Sequence, residues 1–129
     1  MKRFLFVCIE NSNRSQMAQA FATIYGKGTV EGFSAGSRPS GKVNPKAIAA
    51  MKELNYDLSV HQSKSLDDLP GIAFDYAVTM GCGDACPLVK AKHRVDWNIP
   101  DPRDMNETQF NEVRDLIGRK VLELINADD

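Results

Sequence analysis

Short apolar runs alternate along this chain with longer segments whose apolar residues recur every three or four positions. The runs at 4–7 and 76–80 are nearly continuous, which is typical of strands buried on both faces of a parallel sheet. The segment 30–34 predicts a short strand that ends in a polar turn. At 94–99 polar and apolar residues alternate, so this segment predicts a strand at the edge of the sheet.

Three segments predict amphipathic helices. The first begins directly after Ser15, and the third runs from Thr108 to Ile125. The second begins at Asn44, a favourable N-cap, with Pro45 in the first helical position. The predicted apolar stripes are, in chain order, Met17, Ala20, Phe21 and Ile24; Ala47, Ile48, Met51 and Leu54; and Phe110, Val113, Ile117, Val121 and Leu124.

The order of the elements predicts an α/β fold. Strands that alternate with helices favour a three-layer α/β/α sandwich built on a four-stranded parallel sheet. With 129 residues, of which 43% are hydrophobic, a single domain spanning 1–129 can bury a core. Ligands in such folds bind beyond the carboxyl ends of the strands. To that edge the predicted strands deliver Cys8, Cys82, Cys86 and Asp101.

Composition narrows the classes of function. The net charge of -1 provides no basic excess for binding nucleic acid or a membrane surface. The apolar run 4–9 is too short to cross a bilayer, and Glu10 follows where the apolar core of a signal peptide would continue. We therefore expect a cytoplasmic protein. Three cysteines in a reducing compartment are more often chemical than structural, and an odd number leaves one outside any internal disulfide.

The motif Cys8-x(5)-Arg14-Ser15 joins the first strand to the first helix. A helix N-terminus has unpaired N–H groups and a partial positive charge, which suit a tetrahedral oxyanion. The planar guanidinium of Arg14 can hold two oxygens of such an ion. The same positive field favours a thiolate at Cys8, and the hydroxyls of Ser12 and Ser15 can donate hydrogen bonds to its sulfur. The predicted oxyanion-binding residues are Ile9, Glu10, Asn11, Ser12, Asn13, Arg14 and Ser15.

This motif indicates covalent chemistry on an oxyanion, with Cys8 as the nucleophile. A buried cysteine without a chemical role is the competing interpretation. Two reactions remain open. If the central atom is phosphorus, Asp101 can protonate the leaving oxygen and then activate water, as in a phosphatase. If it is arsenic, a second cysteine can attack the Cys8 sulfur and pass two electrons to arsenic. Cys82 and Cys86 can supply the thiols that the second reaction needs.

Several motifs together resemble the thioredoxin-coupled arsenate reductases, which share the low-molecular-weight protein tyrosine phosphatase fold. The resemblance covers nearly the whole chain. It is carried by Cys8-x(5)-Arg14-Ser15 with Gln16-Met17-Ala18, by Ser34-Ala35-Gly36, by Asn44-Pro45-Lys46-Ala47, by Val78-Thr79-Met80 with the paired cysteines, and by Asp101-Pro102.

The resemblance implies a role for each of these residues. Cys8 would be the nucleophile, Cys82 and Cys86 the disulfide relay, Arg14 the oxyanion ligand and Asp101 the acid and base. It implies arsenate as substrate, with phosphate and sulfate as competing anions. No cofactor would be bound, but an external thiol reductant would be required. Thioredoxin is the expected partner, and a glutaredoxin and glutathione system is the alternative.

Three departures from the family pattern modify these expectations. The spacing between Cys82 and Cys86 is shorter than in the best-known members, so the path of the relay is expected to differ. Some members bind potassium through carboxylates that match Gln19 and Lys64 here. We therefore expect the Lys64 ammonium, held by Asn11 or Ser34, to replace that ion. Arg103 follows Asp101-Pro102 in place of a small residue, which predicts a different entrance to the site.

The sequence is compatible with two other functions. A tyrosine phosphatase needs Cys8, Arg14 and Asp101 but leaves the two late cysteines unexplained, and near Asp101 the sequence offers only Trp97 to hold a tyrosine ring. A zinc site could use Cys8, Cys82, Cys86 and His93, but Arg14 would lie against the cation. We expect His61 and His93 to be loop and surface residues without a role in the site.

Overall fold

The computed structural model describes residues 1–69, 71–81 and 90–127. The main elements are β1 (Lys2–Cys8), α1 (Arg14–Tyr25), β2 (Val30–Gly36), α2 (Pro45–Lys52), β3 (Phe74–Met80), β4 (Ala91–Trp97) and α3 (Glu107–Ala127). Two short 3₁₀ helices, Leu58–Val60 and Leu66–Asp68, precede β3. In the described part of the chain, four parallel strands form one sheet in the order β2-β1-β3-β4. The predicted fold class is confirmed, and β4 is an edge strand as expected.

The side chains of β1 alternate between two apolar clusters, as the period of a strand requires. Phe4 and Phe6 point into the larger cluster, to which α1, α2 and α3 all contribute buried residues. Leu5 and Val7 point to the other face of the sheet, where a smaller cluster lies. Among the described residues, that face is covered by Leu66 and its neighbours and not by a long helix. No helix in the described part of the chain is both long and apolar enough to span a bilayer.

The strand register brings four strand ends to one edge of the sheet. Cys8 pairs with Gly36 across β1 and β2, and Met80 pairs with Trp97 across β3 and β4. Because Val7 pairs with Thr79, Cys8 and Met80 lie at the same level. The carboxyl ends of the four strands therefore lie at one edge of the sheet with Cys8, where a ligand site is expected in a parallel sheet.

The predicted bounds of β4 are wrong. The strand spans Ala91–Trp97 and ends two residues before Ile99. The N–H of Ile99 donates to the Trp97 carbonyl at 3.0 Å, which closes a tight turn after the strand. Ile99 is buried because of this turn and is not part of the sheet. Residues 92–94 are polar and exposed, so hydrophobicity does not mark them as a strand. They belong to β4 because their backbones pair with β3.

The helices form where their patterns predict them, with small differences at the ends. The Asn44 side chain accepts a hydrogen bond from the Lys46 N–H at 2.9 Å, which confirms the cap of α2. Leu54 lies beyond the end of α2 and is 39% exposed, so its place in the predicted stripe is wrong. Ile24 is likewise 37% exposed on α1. The stripe of α3 is buried from Phe110 to Val121.

Candidate active site

The N-terminus of α1 is open toward the anion loop, which we define as residues 9–15. Asn13 is the N-cap, but its side chain makes no capping hydrogen bond. The first turn of α1 contains no acidic residue. The N–H groups of this turn are therefore not capped by the Asn13 side chain, and no carboxylate of the same turn competes for them. They are available to bind an anion.

Cys8 lies at the base of the anion loop and is 2% exposed. Its Sγ is 2.9 Å from the Oγ of Ser15 in the first turn of α1. The Nδ2 of Asn11 donates to the same Ser15 Oγ at 2.7 Å. Because the Ser15 oxygen accepts from Asn11, its own proton remains available to the Cys8 sulfur. The Ser15 hydroxyl is therefore placed to donate a hydrogen bond to the Cys8 sulfur.

The orientation of the Asn11 amide is fixed from its other side. Asn11 has a positive φ of 52°, a left-handed conformation that asparagine tolerates better than most residues. Its Oδ1 accepts from the Gln16 Nε2 and from the Lys64 backbone N–H, both at 2.9 Å. An inverted amide would place its NH₂ group against these two donors. The Nδ2 is therefore held toward Ser15.

Gln16 is fully buried and is oriented in turn by His61. The Gln16 Nε2 donates to three oxygens, the Asn11 carbonyl and Oδ1 and the Gln62 carbonyl, at 2.9 to 3.1 Å. Its Oε1 is then the acceptor for the Nδ1 of His61 at 2.9 Å. In the neutral ring this places the proton on Nδ1, and Nε2 accepts from the Tyr56 hydroxyl at 2.6 Å.

Burial and, as the second cause, the nearby Lys64 ammonium together lower the pKa of His61 from 6.5 to about 4. His61 is therefore neutral near pH 7, as its hydrogen bonds require. The expectation that His61 has no role at the site is wrong. No local pattern could have revealed it, because its partner Gln16 is 45 residues away in the sequence.

Arg14 is buried, and its guanidinium is held from two directions. Nη1 donates to the Ile99 carbonyl at 3.1 Å, and Nη2 is 3.9 Å from the Oδ2 of Asp101. Gly81, which follows β3, has a positive φ of 74°, and a Cβ at this position would overlap the Nη1 of Arg14. Glycine is required here both for the backbone conformation and for the space that the guanidinium occupies.

These groups surround a small recess that opens to solvent. Its described lining residues are Cys8, Glu10, Ser12, Asn13, Arg14 and Asp101. None of them is aromatic. Trp97 is buried against Phe6, with the Lys120 ammonium over its ring, so it is not placed to hold a substrate ring.

The structure brings together Cys8, the anion loop and Asp101, which the sequence assigned to one site. Cys82 and Cys86 lie outside the described residues, so their roles stay predictions. The Lys64 ammonium donates to the Gln62 carbonyl, and burial lowers its pKa. Only the backbone N–H of Lys64 reaches Asn11, so the predicted contact of the ammonium with Asn11 or Ser34 is wrong. The Ser34 hydroxyl donates instead to Gln19.

The register of the sheet separates two residues of the proposed zinc site, Cys8 and His93. His93 pairs with Tyr76, and Tyr76 pairs with Phe4, so His93 lies level with Phe4. Four residues of strand, about 13 Å, separate that level from Cys8. A zinc ion needs both ligands within about 2.3 Å. No cluster of three metal-ligating side chains occurs in the described ranges.

Comparison with known proteins places this geometry in a family. The family model for the low molecular weight phosphotyrosine protein phosphatases matches residues 3–128. The chain belongs to this family. Arsenate reductase 2 of Staphylococcus saprophyticus is 39% identical over 127 residues, with 93% of each chain covered. Both the fold and the recognised resemblance are thereby confirmed.

Two further members of the low molecular weight phosphatase family are similar along their whole length. A glutaredoxin arsenate reductase of Synechocystis sp. is 34% identical over 128 residues, with 97% of each chain covered. A solved arsenate reductase in the phosphate binding state has a TM-score of 0.91 at 34% identity, and all of both chains is covered. Within the family, these relatives favour a reductase over a phosphatase.

We expect His61 to make folding stability depend on pH. Its pKa is lower in the folded chain than in the unfolded one, so its contribution is complete above about pH 6.5 and is lost as the pH falls toward 4. After discounting for partial exposure, the loss is about 1 to 2 kcal/mol, or a few degrees in Tm. His61→Asn keeps an N–H near the Nδ1 position without a titrating group and should lose less stability over this interval.

Thermal unfolding of the wild type and of His61→Asn at pH 7, 5.5 and 4 measures how much more Tm the wild type loses. Carboxylates titrate in both proteins, so their contribution cancels in this difference. His93→Asn is the matched control, since His93 is exposed on the edge strand. It should follow the wild type. Equal losses of Tm in the wild type and in His61→Asn would show that His61 does not titrate as described.

Proposed function

We propose that this protein reduces arsenate to arsenite through a covalent adduct on Cys8 and a disulfide relay through Cys82 and Cys86. The observation that carries the proposal is the pairing of Cys8 Sγ with Ser15 at the base of an anion loop, with Arg14 beside it. The Staphylococcus saprophyticus and Synechocystis relatives, which match 93% and 97% of the chain, are arsenate reductases.

The first step uses residues whose positions are described. Arsenate occupies the anion loop, with its oxygens on the N–H groups of α1 and on Arg14. The Cys8 thiolate attacks arsenic, and one hydroxyl of the arsenate leaves as water with a proton from Asp101. A bond between sulfur and arsenic replaces the broken bond between arsenic and oxygen, so the oxidation state of arsenic does not change in this step.

The second step transfers two electrons. The Cys82 thiolate attacks the Cys8 sulfur, the bond between sulfur and arsenic breaks, and its electron pair remains on arsenic, which leaves as arsenite. A disulfide now joins Cys8 to Cys82. The Cys86 thiolate then attacks Cys82, which releases the Cys8 thiolate and leaves a disulfide between Cys82 and Cys86 for an external thiol to reduce. No bound metal or cofactor is needed.

The phosphatase alternative shares only the first step. Family membership is consistent with a weak phosphatase side activity, because Cys8, Arg14 and Asp101 suffice for a phosphoenzyme. The recess opposes a tyrosine phosphatase, since none of its described lining residues is aromatic. Hydrolysis of phosphate esters is therefore secondary to arsenate reduction in this proposal.

We assign thioredoxin as the reductant and the cytoplasm as the compartment. The relay must begin with reduced cysteines, which a reducing compartment maintains. It ends in a disulfide between two cysteines near in sequence, a form that a dithiol protein reduces by simple exchange. The Synechocystis relative is a glutaredoxin arsenate reductase, so glutaredoxin with glutathione is the alternative.

The late cysteines should separate the two chemistries. Cys86→Ser should release one arsenite per protein and stop with Cys8 and Cys82 joined, because the next attacking thiol is missing. Cys82→Ser should release little or none. Both should retain any phosphatase activity of the wild type, which uses neither thiol. Mass spectrometry after one addition of arsenate identifies the trapped disulfide. Unchanged steady-state reduction in Cys82→Ser would refute the relay.

The choice of reductant is measured by NADPH oxidation that depends on arsenate. We expect turnover with thioredoxin and thioredoxin reductase, and at least ten-fold less with glutathione, glutaredoxin and glutathione reductase at equal concentrations. Cys8→Ser, which lacks the nucleophile, is the background control in both assays. Faster turnover with the glutaredoxin system would assign the protein to the other partner.

A further inference from the structure

The opening of the recess is defined by two carboxylates. Of its described lining residues, those in the floor are buried: Cys8, Ser12, Asn13 and Arg14. The side chains of Glu10 and Asp101 are 33% and 46% exposed. On the described part of its wall, the recess therefore meets solvent between these two carboxylates.

Arg103 bridges the two carboxylates. Its backbone N–H donates to the Oδ1 of Asp101 at 3.1 Å, and its guanidinium forms an ion pair with Glu10. We call the pair of Glu10 and Arg103 the entrance ion pair. In this pair the Arg103 guanidinium neutralises the Glu10 carboxylate, which would otherwise repel an anion from the anion loop.

The backbones on both sides of the entrance ion pair are anchored. The Glu10 carbonyl accepts from the Ser40 N–H and from the Ser63 hydroxyl, both at 3.0 Å. The Arg103 carbonyl accepts from the Lys46 ammonium at 3.2 Å. The opening therefore widens most readily by separation of the two side chains.

We propose that the entrance ion pair selects inorganic oxyanions over their organic esters. An inorganic tetrahedral anion carries only oxygens, which the N–H groups of α1 and Arg14 can hold below the pair. In an ester or a phosphonate one substituent carries an organic group. Where that group leaves along the described part of the wall, it passes Glu10 and Asp101 and meets the Arg103 side chain that is paired with Glu10. Arsenate as the selected anion rests on the proposed function, whereas the selection by size does not.

Removing either side chain of the entrance ion pair widens the opening, but the two substitutions change the charge at the opening in opposite directions. Arg103→Ala leaves Glu10 unpaired and should weaken the binding of every anion. Glu10→Ala frees Arg103 and should strengthen it. Both substitutions widen the opening. The ratio of affinities for a large and a small anion of similar charge therefore reports width alone.

The test is calorimetric binding of inorganic phosphate and of phenylphosphonate, which is not hydrolysed, to the reduced full chain. We expect the wild type to bind phosphate at least ten-fold more tightly than phenylphosphonate. Arg103→Ala and Glu10→Ala should each raise the relative affinity for phenylphosphonate about ten-fold. The double variant should show no larger change than either single variant, because both remove the same obstacle.

Glu31→Ala is the matched control, because Glu31 pairs with Arg3 near the opposite edge of the sheet. Its affinity ratio should stay within two-fold of the wild type. A ratio that is unchanged in both entrance variants would overturn the proposal. A wild type that binds no phosphate would overturn both this selection and the proposed function. Normal selection without arsenate reduction would overturn the proposed function alone.

Discussion

The hydrogen bond between Ser15 and Cys8 depends on the orientation of one side-chain amide. If the Asn11 amide were inverted, its oxygen would accept the Ser15 proton, and the serine would present only lone pairs to the sulfur. Such an arrangement would destabilise a thiolate and oppose nucleophilic attack. The left-handed backbone of Asn11 and the donors from Gln16 and Lys64 prevent this inversion. His61 in turn orients Gln16 and is itself hydrogen-bonded to Tyr56, so residues outside the recess also fix the Asn11 amide.

The parallel sheet supplies the second requirement, which is to bring separate loops to one point. Cys8 ends β1, and the segment that follows β4 provides the Ile99 carbonyl and Asp101 as partners for Arg14. Gly81 after β3 leaves the space that the guanidinium fills. The aligned strand ends thus place the Cys8 thiol, the Arg14 guanidinium and the Asp101 carboxylate around one small recess.

Local patterns in the sequence predicted the features that depend on local chemistry. The apolar runs placed the strands, the stripes placed the helices, and Cys8-x(5)-Arg14-Ser15 placed the anion loop. Contacts between residues far apart in sequence could not be predicted in this way. The burial of Ile99 by a tight turn and the network from His61 to Asn11 are of this kind. Lys64 shows the same limit, because its contact with Asn11 is made by the backbone, which carries no residue-specific signal.

In the proposed relay, the anion loop and three thiols together reduce one arsenate without any external electron source. The most direct measurement adds excess arsenate to the fully reduced wild type in the absence of reductant, and then counts arsenite and free thiols. The relay predicts one arsenite per chain, with two of the three thiols lost and Cys8 again reduced. Three intact thiols with no arsenite would contradict it.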